Sequence, residues 1–168
     1  MLVAINDITE QNFPAGDYEV QNRLRMMTPP REAMLSILTY PGKVELKGLL
    51  AEDALKDSVV TAVKRAMKGG ELLTDELQVD PNVMEANWVD QLVGLVPSYV
   101  QRVKRGGLTI YSNILAVEAV IESDADRDFI WAVTEQFFPD DKFRRLLELR
   151  FPEEVEGGIA AEGDGPEK

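Results

Sequence analysis

The chain has 168 residues, 45% apolar and 29% charged, which suits one domain with its own core and is short for two. Thirty acids against eighteen bases give a net charge of −12, which opposes general binding to nucleic acid or anionic membranes, since Lys and Arg carry most phosphate recognition. The absence of Cys and His excludes a Ser-His-Asp triad, a cysteine nucleophile and an ordinary zinc site, and fits a reducing compartment.

Near the N-terminus, Tyr18, Val20, Leu24 and Met26 alternate with polar residues, with Asn22 breaking the apolar face. That period of two predicts a half-buried strand over 17–27. Thr28-Pro29-Pro30-Arg31-Glu32 reads either as the capped start of a helix or as a turn into a strand Met34–Tyr40, and the two stay open. Tyr40-Pro41-Gly42-Lys43 has the residues of a type II turn, and Val44 and Leu46 continue as a short strand.

From Ala51 the period lengthens. Leu55, Val59, Val60, Val63 and Met67 form one helical stripe that Gly69-Gly70 closes. Asp80-Pro81 predicts a second helix start, with Trp88, Leu92 and Leu95 inward and a break at Pro97. Ser98 restarts it toward Gly106-Gly107. A third helix is expected from Ser112 or Asn113 through Ile121, and a fourth from Asp124 or Asp126, with Phe129, Ile130, Val133 and Phe137 inward. Phe143, Leu146 and Leu147 mark a last short helix ended by Pro152. No internal repeat is apparent. The expected organisation is one α+β domain over 1–152, predominantly helical, with a small antiparallel β element near the N-terminus followed by a helical bundle. Residues 153–168, acidic and without periodicity, are expected to be a disordered tail.

Few motifs suggest chemistry. None of the five serines is followed three residues later by Lys, and the double glycines match neither a dinucleotide fingerprint nor a P-loop. Asp124-Ala-Asp126-Arg-Asp128 with Glu135 copies calcium-loop spacing, but Phe129 stands where the loop needs glycine. Acids gathered at a helix N-terminus explain it better. Basic clusters at Lys64-Arg65-Lys68, Arg102-Lys104-Arg105 and Arg144-Arg145-Arg150 sit near predicted helix ends, and would form an anion-binding groove only if two ends met. Phe137 and Phe138 cannot both face inward on one helix. Exposure among Trp131, Phe138 and Leu149 is therefore expected, which makes these three the candidate partner contacts.

Val44-Glu-Leu-Lys-Gly-Leu-Leu50 leading straight into Ala51–Lys68, together with the acidic stretch after Phe151, resembles the tail assembly chaperones of long-tailed bacteriophages over residues 40–168. The resemblance implies a β segment before a helical bundle, and a protein that solubilises a tape-measure partner without catalytic residues. The expected function is non-enzymatic: a cytoplasmic assembly or adaptor protein that binds another protein, with no metal, cofactor or membrane, its oligomeric state left open. The alternatives are an acidic inhibitor of a basic cleft, a structural subunit of a larger particle, and a carboxylate-dependent enzyme.

Overall fold

The computed structural model describes residues 29–152. The strand expected at 17–27 and the acidic tail at 153–168 lie outside the described residues. The elements run β1 (Met34–Tyr40), β2 (Lys43–Leu50), α1 (Asp53–Ala66), β3 (Leu72–Val79), α2 (Val89–Arg102), β4 (Arg105–Tyr111), β5 (Ile114–Val120), α3 (Asp124–Phe137) and β6 (Arg144–Arg150). The strands form a single sheet in the order β3-β2-β1-β4-β5-β6. Pairs β1/β2, β1/β4 and β4/β5 are antiparallel, while β2/β3 and β5/β6 are parallel.

The fold is therefore not predominantly helical, and the helical bundle is corrected to a six-stranded sheet with three helices. The expected helix from Ser112 or Asn113 to Ile121 is the β4–β5 turn and strand β5, and the last short helix is β6. Residues 72–79, given no element in the sequence reading, form β3. Val44–Leu50 and the residues after it do form β2 and α1, but the helical bundle that the resemblance to tail assembly chaperones implies is replaced by the sheet.

Other expectations hold. Met34–Tyr40 resolves as a strand, and Gly42 has φ +76 as a type II turn needs. Helix α1 buries Val59 and Val63 as its stripe predicts, and α3 buries Ile130 and Val133. Asp80-Pro81 does not start a helix. Asp80 instead accepts from the Asn82 amide at 2.9 Å and turns the chain out of β3, while α2 begins eight residues after Pro81, at Val89. Nor does Pro97 break α2, which continues to Arg102. Proline costs one backbone bond there, but the buried side chains of Leu92, Leu95, Val96 and Tyr99 hold both flanks of it in the core.

The topology contains an internal repeat that the sequence reading missed. β1-β2-α1-β3 and β4-β5-α3-β6 are two copies of one ββαβ unit, with α2 connecting them. A shift of 71 residues carries Asp53–Ala66 onto Asp124–Phe137. The backbone repeats in detail. Met67 N donates to Val63 O at 3.0 Å as Phe138 N does to Thr134 O at 2.8 Å, and Leu72 N donates to Gly42 O at 2.9 Å as Arg144 N does to Asn113 O at 2.8 Å, the second half having one more residue before its last strand. In the β1/β4 register Ile37 lies opposite Leu108, its own equivalent under the same shift, so an approximate two-fold axis passes between these two buried residues.

All three helices cover one face of the sheet. Leu35, Ile37, Val44, Leu46, Leu108, Ile110, Leu115 and Val117 alternate inward from the four inner strands and join helix residues in one core, each no more than 3% exposed. That apolar burial is the main stabilising term for such a two-layer fold. Among the described residues the opposite face carries no helix.

Candidate protein-interaction face

Strand alternation places residues Met34, Ser36, Leu38 and Tyr40 of β1 on the uncovered face, and the pairing register extends that assignment across all six strands. Among the described residues seven large apolar side chains are substantially exposed: Met34, Tyr40, Leu72, Met84, Tyr111, Trp131 and Leu146. Five of them, all but Met84 and Trp131, fall on this one face. Near its centre the side chains are short: Gly107 and Ala116 lie beside Ser36 and Thr109, whose hydroxyls are 2.9 Å apart. Tyr40 and Tyr111, equivalent in the repeat, stand at opposite ends of the two central strands.

The charge on this face departs from the rest of the chain. It carries Lys43, Lys47, Arg105, Arg144 and Arg150 against Glu45, Glu76, Glu118 and Glu148, five bases to four acids, in a chain of net charge −12. In the first half the charges interlock: Lys43 and Lys47 both pair with Glu45, and Lys47 Nζ lies 3.7 Å from Glu76. Those hydrogen bonds from Lys43 and Lys47 hold the Glu45 carboxyl below its ordinary range. In the second half, Tyr111, Ile114, Ala116 and Leu146 make a more apolar surface. A broad hollow of about 700 Å³ takes in Leu38, Gly107, Thr109, Ala116 and Leu146, and reaches Trp131.

The three residues expected to contact a partner do not share a surface. Trp131 is 47% exposed on α3, beside the edge strand β6, where the Arg145 guanidinium lies 5.7 Å from its ring centre. Arg145 is itself fixed by two hydrogen bonds to Asp140, at 2.8 and 2.9 Å. Phe138 is fully buried, edge-on to Phe143 at 4.9 Å between ring centres. Leu149 is half-buried against the core. Adjacent phenylalanines are both accommodated because Phe138 ends the helix and turns inward, while Phe137 rests on Gly94 of α2, whose missing Cβ leaves room for the ring. The exposed apolar residues that sequence reasoning missed are those of the uncovered strands, since only the register places Leu72, Tyr111 and Leu146 on one surface.

The remaining motifs find structural uses. The calcium-like acids open helix α3, where Ser123 accepts from the Asp126 amide at 3.1 Å, and Asp126 bonds Arg102 at 2.8 Å. Ser123 and then Arg102 lower the Asp126 pKa. Among the described residues no group of acids is arranged to hold a metal. The C-terminal ends of α1 and α2 do meet, since Lys68 and Lys104 line one small cleft together. An anion-binding groove does not result, because Lys104 pairs with Glu122 at 2.6 Å and Arg102 pairs with Asp126. Each carboxylate with a displaced pKa (Glu45, Asp80, Asp126, Asp140) is displaced downward, in each case with a basic side chain bonded to it. A general acid needs the opposite shift. Among the described residues no helix is long and apolar enough to cross a membrane. No protein-family model and no curated protein matches the sequence.

Proposed function

We propose that this chain is a non-enzymatic protein-binding module of the cytoplasm, and that its contact surface is the uncovered face of the sheet. The observation that carries the reading is the clustering of five of the seven exposed large apolar side chains on that one face. Exposed apolar groups gathered on one surface mark protein contact sites, whereas scattered ones need no explanation. The near balance of charge on the face supports the same reading, because an apolar surface ringed by uncompensated acids would repel the acidic surfaces common among soluble proteins. A partner suited to it presents apolar side chains of its own with few carboxylates. The lack of Cys supports a reducing compartment.

The test is site-specific photo-crosslinking of the full chain in the cells that make it. A benzophenone side chain at Leu146 or Tyr111 is expected to give discrete protein adducts that mass spectrometry identifies, and a probe at Met84, off the face, is not. Adducts from Met84 alone would refute the proposal. So would turnover of a small molecule that is lost when one Asp or Glu becomes its amide.

A further inference from the structure

We infer that two copies of this chain join through the outer edge of β6, which runs antiparallel to its own copy about a two-fold axis at Leu146. The inference goes beyond the protein-binding reading and does not need it, since it uses the rim of the sheet and leaves the open face to another protein.

A sheet has two edges, and in this one the first is closed while the second is open. Alternate residues of β3 bond to β2, and those between turn their backbone groups outward. Leu77 is one of the latter, and both of its groups are taken. Its amide donates to Asp75 Oδ1 at 2.9 Å, and its carbonyl accepts from Lys56 Nζ at 2.9 Å. Lys56 also pairs with Asp75 at 3.2 Å. Side chains that occupy an edge in this way keep another strand from adding to it. In β6, Arg144 N donates to Asn113 O and Arg150 O accepts from Ile121 N, so the even-numbered residues face β5 and Arg145, Leu147 and Leu149 turn outward. Leu147 stands where β3 has Asp75, and Arg127, the equivalent of Lys56, pairs with Asp124 instead. Among the described residues nothing takes the outward groups of this edge.

Charge favours the same edge. β6 carries Arg144, Arg145 and Arg150 against Glu148, while β3 carries Asp75 and Glu76 with no base. Between two chains of net charge −12, contact at a basic rim meets the least repulsion.

The side chains select the register. A two-fold contact sets a surface on its own rotated copy, and antiparallel bonding sets outward residues opposite outward residues. Three such registers pair five or more of the seven residues of β6. One places Arg144 opposite Arg150 of the second copy and Leu146 opposite Glu148. Another places Glu148 opposite Glu148. The third places Leu146 opposite Leu146 and Arg144 opposite Glu148 on both sides of the axis, and no like charges face each other among its paired residues. Arg145 and Arg150 already pair with Asp140 and Glu148 within the chain, so this register gives Arg144 its carboxylate. Trp131 and Leu146, 47% and 44% exposed, flank β6 at the same level on opposite sides of the sheet. An axis at Leu146 brings each toward its own copy, and both leave water together.

The chain has no cysteine, so introduced ones report the contact. Under mild oxidation of the full chain, Leu146→Cys is expected to form a disulfide-linked dimer of twice 18.8 kDa, because directly opposed residues of an antiparallel pair lie within disulfide reach. Thr74→Cys, at the equivalent place on β3, and Glu148→Cys, off the axis, are expected to stay monomeric. Sedimentation equilibrium of the unaltered chain, carried to high concentration, is expected to show the same dimer. Arg144→Glu and Glu148→Arg are each expected to weaken it by ~10-fold or more, and the two together to restore it. Far-UV circular dichroism checks that each variant is folded. A monomer at every concentration overturns the inference. So does cross-linking as strong at Thr74→Cys or Glu148→Cys as at Leu146→Cys, or a double exchange no better than its single changes. The Tyr111 photo-probe, two strands in from this edge, tests the protein-binding reading separately. Foreign adducts from a monomer would end this inference alone, and a dimer without foreign adducts would end the other.

Discussion

The two ββαβ halves build one backbone from different side chains, and the differences show which features the unit needs. Each half requires a close approach between its two hairpin strands at the same place. In the first half glycine sits on the second strand: Gly48 faces Leu35 with φ +151, and a Cβ there would lie 2.2 Å from Met34 O. In the second half glycine sits on the first strand, where Gly106 faces Ala119 and a Cβ would lie 2.6 Å from Glu118 O. The crossover helices differ too. Ser123 caps α3 through its side chain, whereas Glu52 makes no such bond at α1. At the far end of the helices, Phe138 fills the core where the first half has the half-buried Met67. The turns also diverge. Gly42 takes positive φ without strain, while Ser112 does so at φ +50 with a side chain to accommodate.

The sharpest way to break this comparison is to exchange the residues that differ. Gly48→Ala, which installs the residue of the second half, is expected to cost more than ~3 kcal/mol, because both the contact and the dihedral oppose a Cβ. Ala119→Gly, the reverse exchange, is expected to cost only about 1 kcal/mol. Equal losses in urea unfolding would mean that the halves are interchangeable at this position.

Nearly as large an effect is expected at the helix ends. Phe138→Ala empties a fully buried aromatic site and should cost about 3–5 kcal/mol. Met67→Ala should cost roughly 1–2 kcal/mol, since less of its surface leaves water. A reversed order of unfolding midpoints would show that the core is centred on the first half.

Capping effects are smaller. Ser123→Ala is expected to lose about 1 kcal/mol, and Glu52→Ser to gain somewhat less. The Asp126 carboxyl sharpens this contrast through pH. Its folded pKa lies below the ordinary aspartate value, so its contribution is complete above an unfolded pKa of about 3.9 and fades as pH falls through the lower folded value. Asp126→Asn should therefore flatten the acid limb of the melting temperature below about pH 4, and an unchanged limb would remove this pair from acid stability. Smallest is the effect at the second turn. Ser112→Gly should raise stability by about 0.5–1 kcal/mol by relieving positive φ, which thermal melting can resolve.

Chain-local signals carried part of the structure in advance. The Pro41-Gly42 turn, the strand after it, the stripe of α1 and the apolar face of α3 all rest on residues within one or two turns of each other, so periodicity and turn chemistry suffice. The rest was not local. Ile114-Leu-Ala-Val-Glu-Ala-Val120 is apolar at both helical and strand spacing, and only pairing with β4 and β6 on its two sides selects the strand. Arg144–Arg150 places Leu146 and Leu147 side by side, as an amphipathic helix would, but as an edge strand it sends Leu146 out and Leu147 in. The repeat was hidden because just four of the 34 positions from 34 to 67 (Tyr40, Asp53, Ala54 and Asp57) keep their identity after the shift of 71.

From residue types alone came the exclusion of His- and Cys-dependent chemistry, the acidic balance and the helices that bury a stripe of their own. Tertiary structure decided the sheet, the two-fold relation of its halves and the surface that carries the proposed function. Helix hydrogen bonds close within four residues, so a helix is written where it forms. A strand is paired with residues far along the chain, as Met34 is with Tyr111, 77 residues away, and as Ser36 is with Thr109. Which side chains share a sheet face is therefore settled only when those partners meet.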